Sequence, residues 1–326
     1  MSLAVIACLL AAAFTWLSIR VSLGLGLTAD PRIDRWHKIP TPNTGGVAIL
    51  SACAAVYLLG ARGEHSVIVA AAAGVAALGF VDDRIRLRPL FKFLGQCLAA
   101  LTVIASGAIF HATGSKPLNF VITLLWITGI TNAFNLIDNM DGLCAGVTVI
   151  IAGFRFVSAL QSGDEPGARL VAIVGGAFLG FLFFNYKPAR IFMGDTGSMF
   201  AGFLLGSLAI AAPVPQTQGF FSGVLYPMLT FVYPIFDALL VSFLRRMGGQ
   251  PISVGGRDHS SHRLAALGLG ECKVVWVLWA LTGIGCAAGL VTFSLPAGVL
   301  AIAFFLGLAI TIFGIFLASV PGYETH

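Results

Sequence analysis

The sequence predicts an all-α polytopic membrane protein: one integral-membrane domain over residues 1–326, with about eleven transmembrane helices, the N-terminus outside and the C-terminus cytoplasmic. Three observations carry this. Hydrophobic residues make up 58% of the chain and charged ones 10%, with a mean hydropathy of +0.93, whereas a soluble domain is about one quarter charged. Apolar runs of membrane-crossing length fill nearly the whole chain and leave no room for a soluble appendage. Basic residues fall in alternate loops, fifteen of nineteen on one side, which is the bias that sets membrane orientation.

Taken in order, the expected spans are 3–24, 45–61, 66–82, 91–111, 118–134, 142–160, 168–185, 197–212, 219–244, 273–292 and 296–319. The first apolar run, Leu3 to Ile19, has no Lys or Arg before it and is followed at once by Arg20, so it reads as part of a retained span and not as a signal peptide. The second and eighth are short. The last two are divided only by Ser294-Leu295-Pro296. The inner loops hold Arg20, Arg32, Arg35, Lys38, Arg84, Arg86, Arg88, Lys92, Lys187, Arg190, Arg245, Arg246, Arg257, Arg263 and Lys273; the outer loops hold Arg62, Lys116 and Arg169. Arg155 is left inside the sixth span, where it is expected to snorkel outward toward Asp164 and Glu165. Most acids fall on the inner side as well, so any chemistry is expected to face the cytoplasm. A net charge of +5 spread over several loops follows topology and gives no reason to expect nucleic-acid binding. The six cysteines are scattered, without metal-site or CxxC spacing, and are expected to form no disulfides. No internal repeat of the transporter kind is visible.

Asn132-Ala133-Phe134-Asn135-Leu136-Ile137-Asp138-Asn139-Met140-Asp141-Gly142 stands out between two apolar runs. It has three Asn, two Asp and no basic residue. Helical spacing places Asn135, Asp138 and Asn139 on one face. A helix cap by Asp141 would explain one of the acids but not the rest. Val81-Asp82-Asp83-Arg84 ends the third span; adjacent carboxylates repel unless a cation lies between them, which points to a divalent metal or to phosphate handling with Lys92 as counter-charge. Gly194-Asp195-Thr196-Gly197-Ser198 enters the eighth span, as either a carboxylate metal ligand beside free N–H donors or an ordinary N-cap. Gly45-Gly46 opens the second span, where backbone N–H groups can meet an anion. In Arg257-Asp258-His259-Ser260-Ser261-His262-Arg263, phosphate binding suits the residues better than zinc, since neither a fourth ligand nor a supporting shell is evident. Asp237 is an acid inside the ninth span, and reads equally as a functional group or as half of a structural pair.

These motifs together, in order over residues 30 to 264, resemble the polyprenyl-phosphate N-acetylhexosamine-1-phosphate transferases. The matching pieces are His37-Lys38 with Pro40, Pro42 and Gly45-Gly46; Val81-Asp82-Asp83 with Lys92 and Gln96; Asn132-Ala133-Phe134-Asn135 through Gly142; Asn185 through Ser198; Pro234, Asp237 and Arg245; and Asp258-His259 through His262-Arg263-Leu264. The His-x-x-His-Arg-Leu loop is most similar to the branch that initiates enterobacterial-common-antigen and teichoic-acid synthesis. In one departure, Ser261 stands where that branch carries a His directly before His262.

The resemblance implies transfer of a HexNAc-1-phosphate, with GlcNAc-1-phosphate foremost, from a UDP-sugar to undecaprenyl phosphate or another polyprenyl phosphate, with release of UMP. It implies Mg²⁺ (or Mn²⁺) as cofactor, a membrane-lipid setting and a homodimer. Asp195 and Asp138 are the expected metal ligands. Asp82 and Asp83 are expected near the acceptor phosphate, and Asp138 and Asp141 beside the donor, as catalytic carboxylates. Lys38, Lys92, Asn132, Asn135, Asn185, His259, His262 and Arg263 are expected to contact phosphates or sugar. Direct displacement ranks above a covalent Asp intermediate, because a phosphate monoester with a second pKa of about 6 is already mostly a dianion at neutral pH. The competing class is a transporter or flippase of an anionic lipid or sugar nucleotide. It needs a site reachable from both faces, and the polar residues gather on one.

Overall fold

The computed structural model describes residues 2–25, 28–29, 41–63, 65–211, 220–251, 256–294 and 299–320. Apart from a two-residue antiparallel pair, β1 (Thr28–Ala29) with β2 (Thr41–Pro42), its regular elements are helices. They are α1 (Ser2–Leu25), α2 (Gly45–Gly60), α3 (Ser66–Ile85), α4 (Pro89–Ala105), α5 (Lys116–Ile137), α6 (Leu143–Ser162), α7 (Glu165–Asn185), α8 (Gly194–Ala211), α9 (Phe220–Thr230), α10 (Val232–Met247), α11 (Ser260–Ala266), α12 (Glu271–Ser294) and α13 (Val299–Ser319). Seven of these are long and apolar enough to cross a membrane, or eight if α9 and α10 form one bent span. α2 and α4 are apolar but shorter; together with α8 they lie over the other three expected spans without being counted among the membrane-crossing helices.

The expected ninth span, 219–244, is broken. α9 and α10 meet at an angle of 78° around Phe231. Proline explains the break: Pro234 has no N–H to give the Thr230 carbonyl four residues back, and Pro227 lies inside α9. The Thr230 carbonyl is taken instead by the Cys286 thiol of α12, at 3.4 Å.

α8 is the central helix, buried along its length apart from Asp195 and Ala211. It packs against α3, α5 and α2, and its apolar character on every side suits that position. α13 is the opposite case, little buried along its length, with Phe304, Phe305, Ile312 and Ile315 exposed. α1 lies against α7 so closely that a Cβ on Gly176 or Gly180 would strike the carbonyls of Ala4 and Cys8, a small-residue crossing typical of membrane helices.

The starts of α2, α4 and α8 and the ends of α3, α5, α7 and α10 meet at one end of the bundle. The opposite end holds His65 and Asp164, 3.9 Å apart. Burial pushes the Asp164 carboxyl up, but the nearby His65 ring and the hydrogen bond from the Gly167 N–H outweigh it and hold the group below its ordinary range. Arg155 does not snorkel toward Asp164 and Glu165. Its guanidinium is buried and donates to the Tyr226 hydroxyl at 3.2 Å and the Leu208 carbonyl at 2.9 Å. α8 and α9 supply these acceptors inside the bundle, so the cation has no need to reach the surface.

Candidate active site at one end of the bundle

Lys92 stands at the hub. Its Nζ donates to Asp82 Oδ2 and Asn135 Oδ1, each at 3.2 Å, and to Asp195 Oδ2. Asn135 completes the ring, its Nδ2 donating to Asp195 Oδ1 at 2.9 Å and Ser198 Oγ at 3.2 Å. Four helices thus place two carboxylates, an amide and an ammonium around one point. The Lys92 and Asp82 side chains are 15% and 16% exposed and that of Asp195 is 25% exposed, so the cage is reachable from solvent while water is largely kept out. Asp82 is aimed by its own helix end: Oδ1 accepts the Leu87 N–H at 2.6 Å, which leaves Oδ2 for Lys92.

Asp83 faces a different way. It accepts the backbone N–H of Asp195 (2.9 Å) and of Thr196 (3.1 Å), the Thr196 hydroxyl (2.7 Å) and the Asn43 amide (3.2 Å). The N-terminus of α8 is therefore capped from α3, not by Asp195 or Thr196. The N–H donors expected to be free beside Asp195 are held by Asp83. The approach is close enough that a Cβ on Gly79 would lie 2.6 Å from the Asp195 carbonyl. Gly45 and Gly46 are likewise closed to an anion. Their N–H groups donate to the Phe192 and Met193 carbonyls at 2.9 and 3.0 Å, seating α2 on the loop that enters α8.

The Asn132–Gly142 stretch divides. α5 ends at Ile137 with Asp138 as C-cap, so Asn135, Asp138 and Asn139 do not share one helical face. Gly142, at φ 75°, is the N-cap of α6 and Asp141 is not; the turn needs a left-handed residue there, which Gly supplies without strain. Asp141 Oδ2 accepts the Ala189 N–H at 2.9 Å, while Asn185 joins the Gly142 N–H (3.1 Å) to the Ile191 carbonyl (2.9 Å). Both residues hold the α7–α8 loop in place. Asn132 pairs with Gln96 through Nδ2 to Oε1 at 2.7 Å. Asn139 accepts the Ser261 hydroxyl at 2.8 Å and so joins this stretch to the histidine loop.

That loop is anchored at four successive residues. Asp258 pairs with buried Arg245 at 3.1 Å. His259 Nδ1 lies 2.8 Å from Asp237 Oδ2, and the Ser260 N–H and hydroxyl donate to Asp237 Oδ1 at 2.8 and 2.6 Å. Ser261 holds Asn139. His262 is buried, its ring 6.0 Å from that of His259; burial first, then the charges of His259 and Arg257, press its pKa down to about 4. Arg263, expected at substrate phosphates, commits its guanidinium to the end of α13, donating to the carbonyls of Leu317 (3.0 Å), Ala318 (3.4 Å) and Val320. The last carbonyls of a helix run short of backbone donors, which draws a buried cation to them; Leu317 also receives the Val320 N–H at 3.1 Å. Lys38 lies outside the described residues.

The sequence profile for glycosyl transferase family 4 matches residues 65–212. A probable undecaprenyl-phosphate N-acetylglucosaminyl 1-phosphate transferase of Bacillus subtilis (strain 168) is 34% identical over 272 residues, covering 80% of this chain and 75% of the relative. The chain belongs to glycosyl transferase family 4. Two further members extend the likeness. Decaprenyl-phosphate N-acetylglucosaminephosphotransferase of Mycobacterium tuberculosis (strain H37Rv) is 32% identical over 300 residues, 80% of this chain and 74% of that one. Phospho-N-acetylmuramoyl-pentapeptide-transferase of Heliobacterium modesticaldum is 30% identical over 296 residues, 83% and 89%.

In this family 4 chain the matched region contains the whole Lys92 cage, and the histidine loop lies beyond it. Three contributors have no individual role in the sequence motifs: Asn43 on Asp83, Ser198 on Asn135 and Ser260 on Asp237. Ser198 carried a signal, since it lies one helical turn after Asp195 and faces the same way. Asn43 and Ser260 carried none, because their partners are 40 and 23 residues away.

Proposed function

We propose that this chain transfers N-acetylhexosamine 1-phosphate, with GlcNAc as the hexosamine, from a UDP-sugar to undecaprenyl or another polyprenyl phosphate, releasing UMP. The step opens cell-envelope polysaccharide synthesis at the bacterial inner membrane, with the site facing the cytoplasm. The observation that carries this reading is the Lys92 cage, in which an ammonium is set among Asp82, Asn135 and Asp195 at one end of the bundle. The names of the relatives support the same reading. A transporter's site would have to open to both faces, and the cage draws only on helix ends from one.

The reaction joins two anions. An oxygen of the acceptor phosphate bonds to the sugar-bearing phosphorus of the donor, the bridging P–O bond breaks, and its electron pair leaves with UMP. The acceptor, mostly a dianion at neutral pH, needs orientation and charge compensation more than a base. Lys92 supplies positive charge, and Asp82 orients it. The cage also fits Mg²⁺ or Mn²⁺. Oxygens of Asp82, Asp195 and Asn135 already surround a cation, and Mg²⁺ is commonly held by one or two carboxylates with substrate phosphates completing the set. Asp195, Asp82 and Asn135 would hold the ion, which would supply charge neutralisation at the donor pyrophosphate.

Purified protein incubated with undecaprenyl phosphate, Mg²⁺ and a panel of UDP-HexNAc donors is expected to release UMP. Absence of UMP with every donor overturns the reading. Asp195→Asn is expected to raise the Mg²⁺ needed for half-maximal rate; an unchanged requirement removes Asp195 from the metal site.

A further inference from the structure

Asp237 is wholly buried in α10, inside the bent pair, and no part of the cage touches it. A carboxylate so placed is costly unless its oxygens are satisfied. Three donors converge on them: the Ser260 N–H and hydroxyl on Oδ1, and His259 Nδ1 on Oδ2. The two oxygens therefore have separate duties. Oδ1 caps the entrance of α11, and Oδ2 holds one imidazole nitrogen.

We infer that Asp237 is a positioning residue for transfer, acting through His259 by fixing the proton at Nδ1 and leaving Nε2 as the nitrogen that meets substrate. An ionised carboxylate can only accept, so the Nδ1 beside it carries hydrogen. The ring is then held in one tautomer and one orientation, the role an acid plays behind a working histidine in other active sites. Arg245 on Asp258 and Ser261 on Asn139 fix the flanking residues, so the loop cannot swing to compensate if this bond is lost. The inference rests on the transferase reading above.

Asp237→Asn separates the two duties at nearly constant shape. The Ser260 N–H requires an acceptor, so the amide oxygen takes the Oδ1 place and the NH₂ group faces His259. Nδ1 must then accept, and the proton moves to Nε2. The helix cap is kept while the tautomer is reversed. His259→Asn is the companion variant, since its NH₂ still satisfies Asp237 but it has no Nε2.

The test is a double-mutant cycle on UMP release, with nitrogen NMR of ¹⁵N-histidine-labelled full-length protein in detergent. Six histidines are present, and the His259 signals are those lost in His259→Asn. In wild type, Nδ1 is expected to carry a strongly hydrogen-bonded proton. Asp237→Asn is expected to lower kcat by about 30-fold or more, with KM for the donor changed much less, and to cost under about 3-fold when His259 is already Asn. Equal losses in both backgrounds, or an unprotonated Nδ1 in wild type, overturn the inference. If Asp237→Asn does not fold, the wild-type spectrum decides alone. A wild type that releases no UMP from any donor overturns the transferase reading, while the spectrum still reports whether the Asp237–His259 pair exists.

Discussion

Asp82 and Asp83 are neighbours with unlike surroundings. Asp82 has one oxygen on a backbone N–H and the other in the cage, whereas both oxygens of Asp83 are taken up by donors from α8 and Asn43. Asp83→Asn turns an acceptor into a donor facing the Thr196 N–H and hydroxyl. It is expected to cost about 2 kcal/mol of stability, read as a lower thermal midpoint in detergent, and to reduce activity through the displaced Asp195. Asp82→Asn keeps an oxygen for the Leu87 N–H, so its midpoint should hardly move while turnover collapses. A midpoint loss in Asp82→Asn equal to that in Asp83→Asn would erase the distinction. His262 gives a second residue-scale prediction. Its pKa is about 4 against an ordinary 6.5, with burial and the charges of His259 and Arg257 outweighing Asp237 and Asp258. Between these values the unfolded chain binds more protons than the folded one, so stability rises with pH. The contribution, roughly 3 kcal/mol at most, is full above pH 6.5 and is lost as pH falls toward 4. The thermal midpoint of wild type should therefore drop over this window by more than that of His262→Gln.

At the scale of elements, what the sequence made legible depended on how far apart the partners lie. Apolar runs announced the helices, because membrane-crossing length is a local property. The break at Phe231 was also local, in Pro227 and Pro234, but the unbroken hydropathy across it masked two helices as one. The cage was legible as residue types, since Asp82, Lys92, Asn135 and Asp195 all stood out; their meeting was not, because it depends on α3, α4, α5 and α8 converging. The least legible feature was which carboxylate acts and which one builds. Asp83, Asp141 and Asn185 also hold the backbone around the α7–α8 loop by hydrogen bonds, a duty only distances reveal. The α3–α8 contact offers a test. Gly79 permits Asp83 to reach the start of α8, and an added Cβ would lie 2.6 Å from the Asp195 carbonyl, on backbone that cannot rotate away. Gly79→Ala should push the helices apart, costing about 1–3 kcal/mol, and should reduce UMP release by more than a variant at Gly74, where a Cβ meets nothing within 4 Å. Equal activities in the two variants would show that Asp195 is not placed by this contact.

For the whole molecule, one end of the bundle carries the cage, the histidine loop and most of the basic residues. The other carries His65 and Asp164. The proposed orientation, with the site in the cytoplasm and the N-terminus outside, rests on the positive-inside bias of fifteen basic residues against three. That arrangement suits a soluble nucleotide donor meeting an embedded acceptor, and it is open to direct measurement. Cys272 is exposed and next to Glu271, which pairs with Lys187 on the α7–α8 loop, so it marks the site end. Arg62 follows α2 at the opposite end. In spheroplasts expressing a protein with Cys272 as its sole cysteine, a membrane-impermeant maleimide is expected to react only after the membrane is permeabilised. With Arg62→Cys as the sole cysteine, the same reagent should react at once. Labelling of Cys272 in sealed spheroplasts, with protection at position 62, would put the cage on the outer face, where no UDP-sugar pool exists to supply it, and the transferase reading would lose its donor along with its topology.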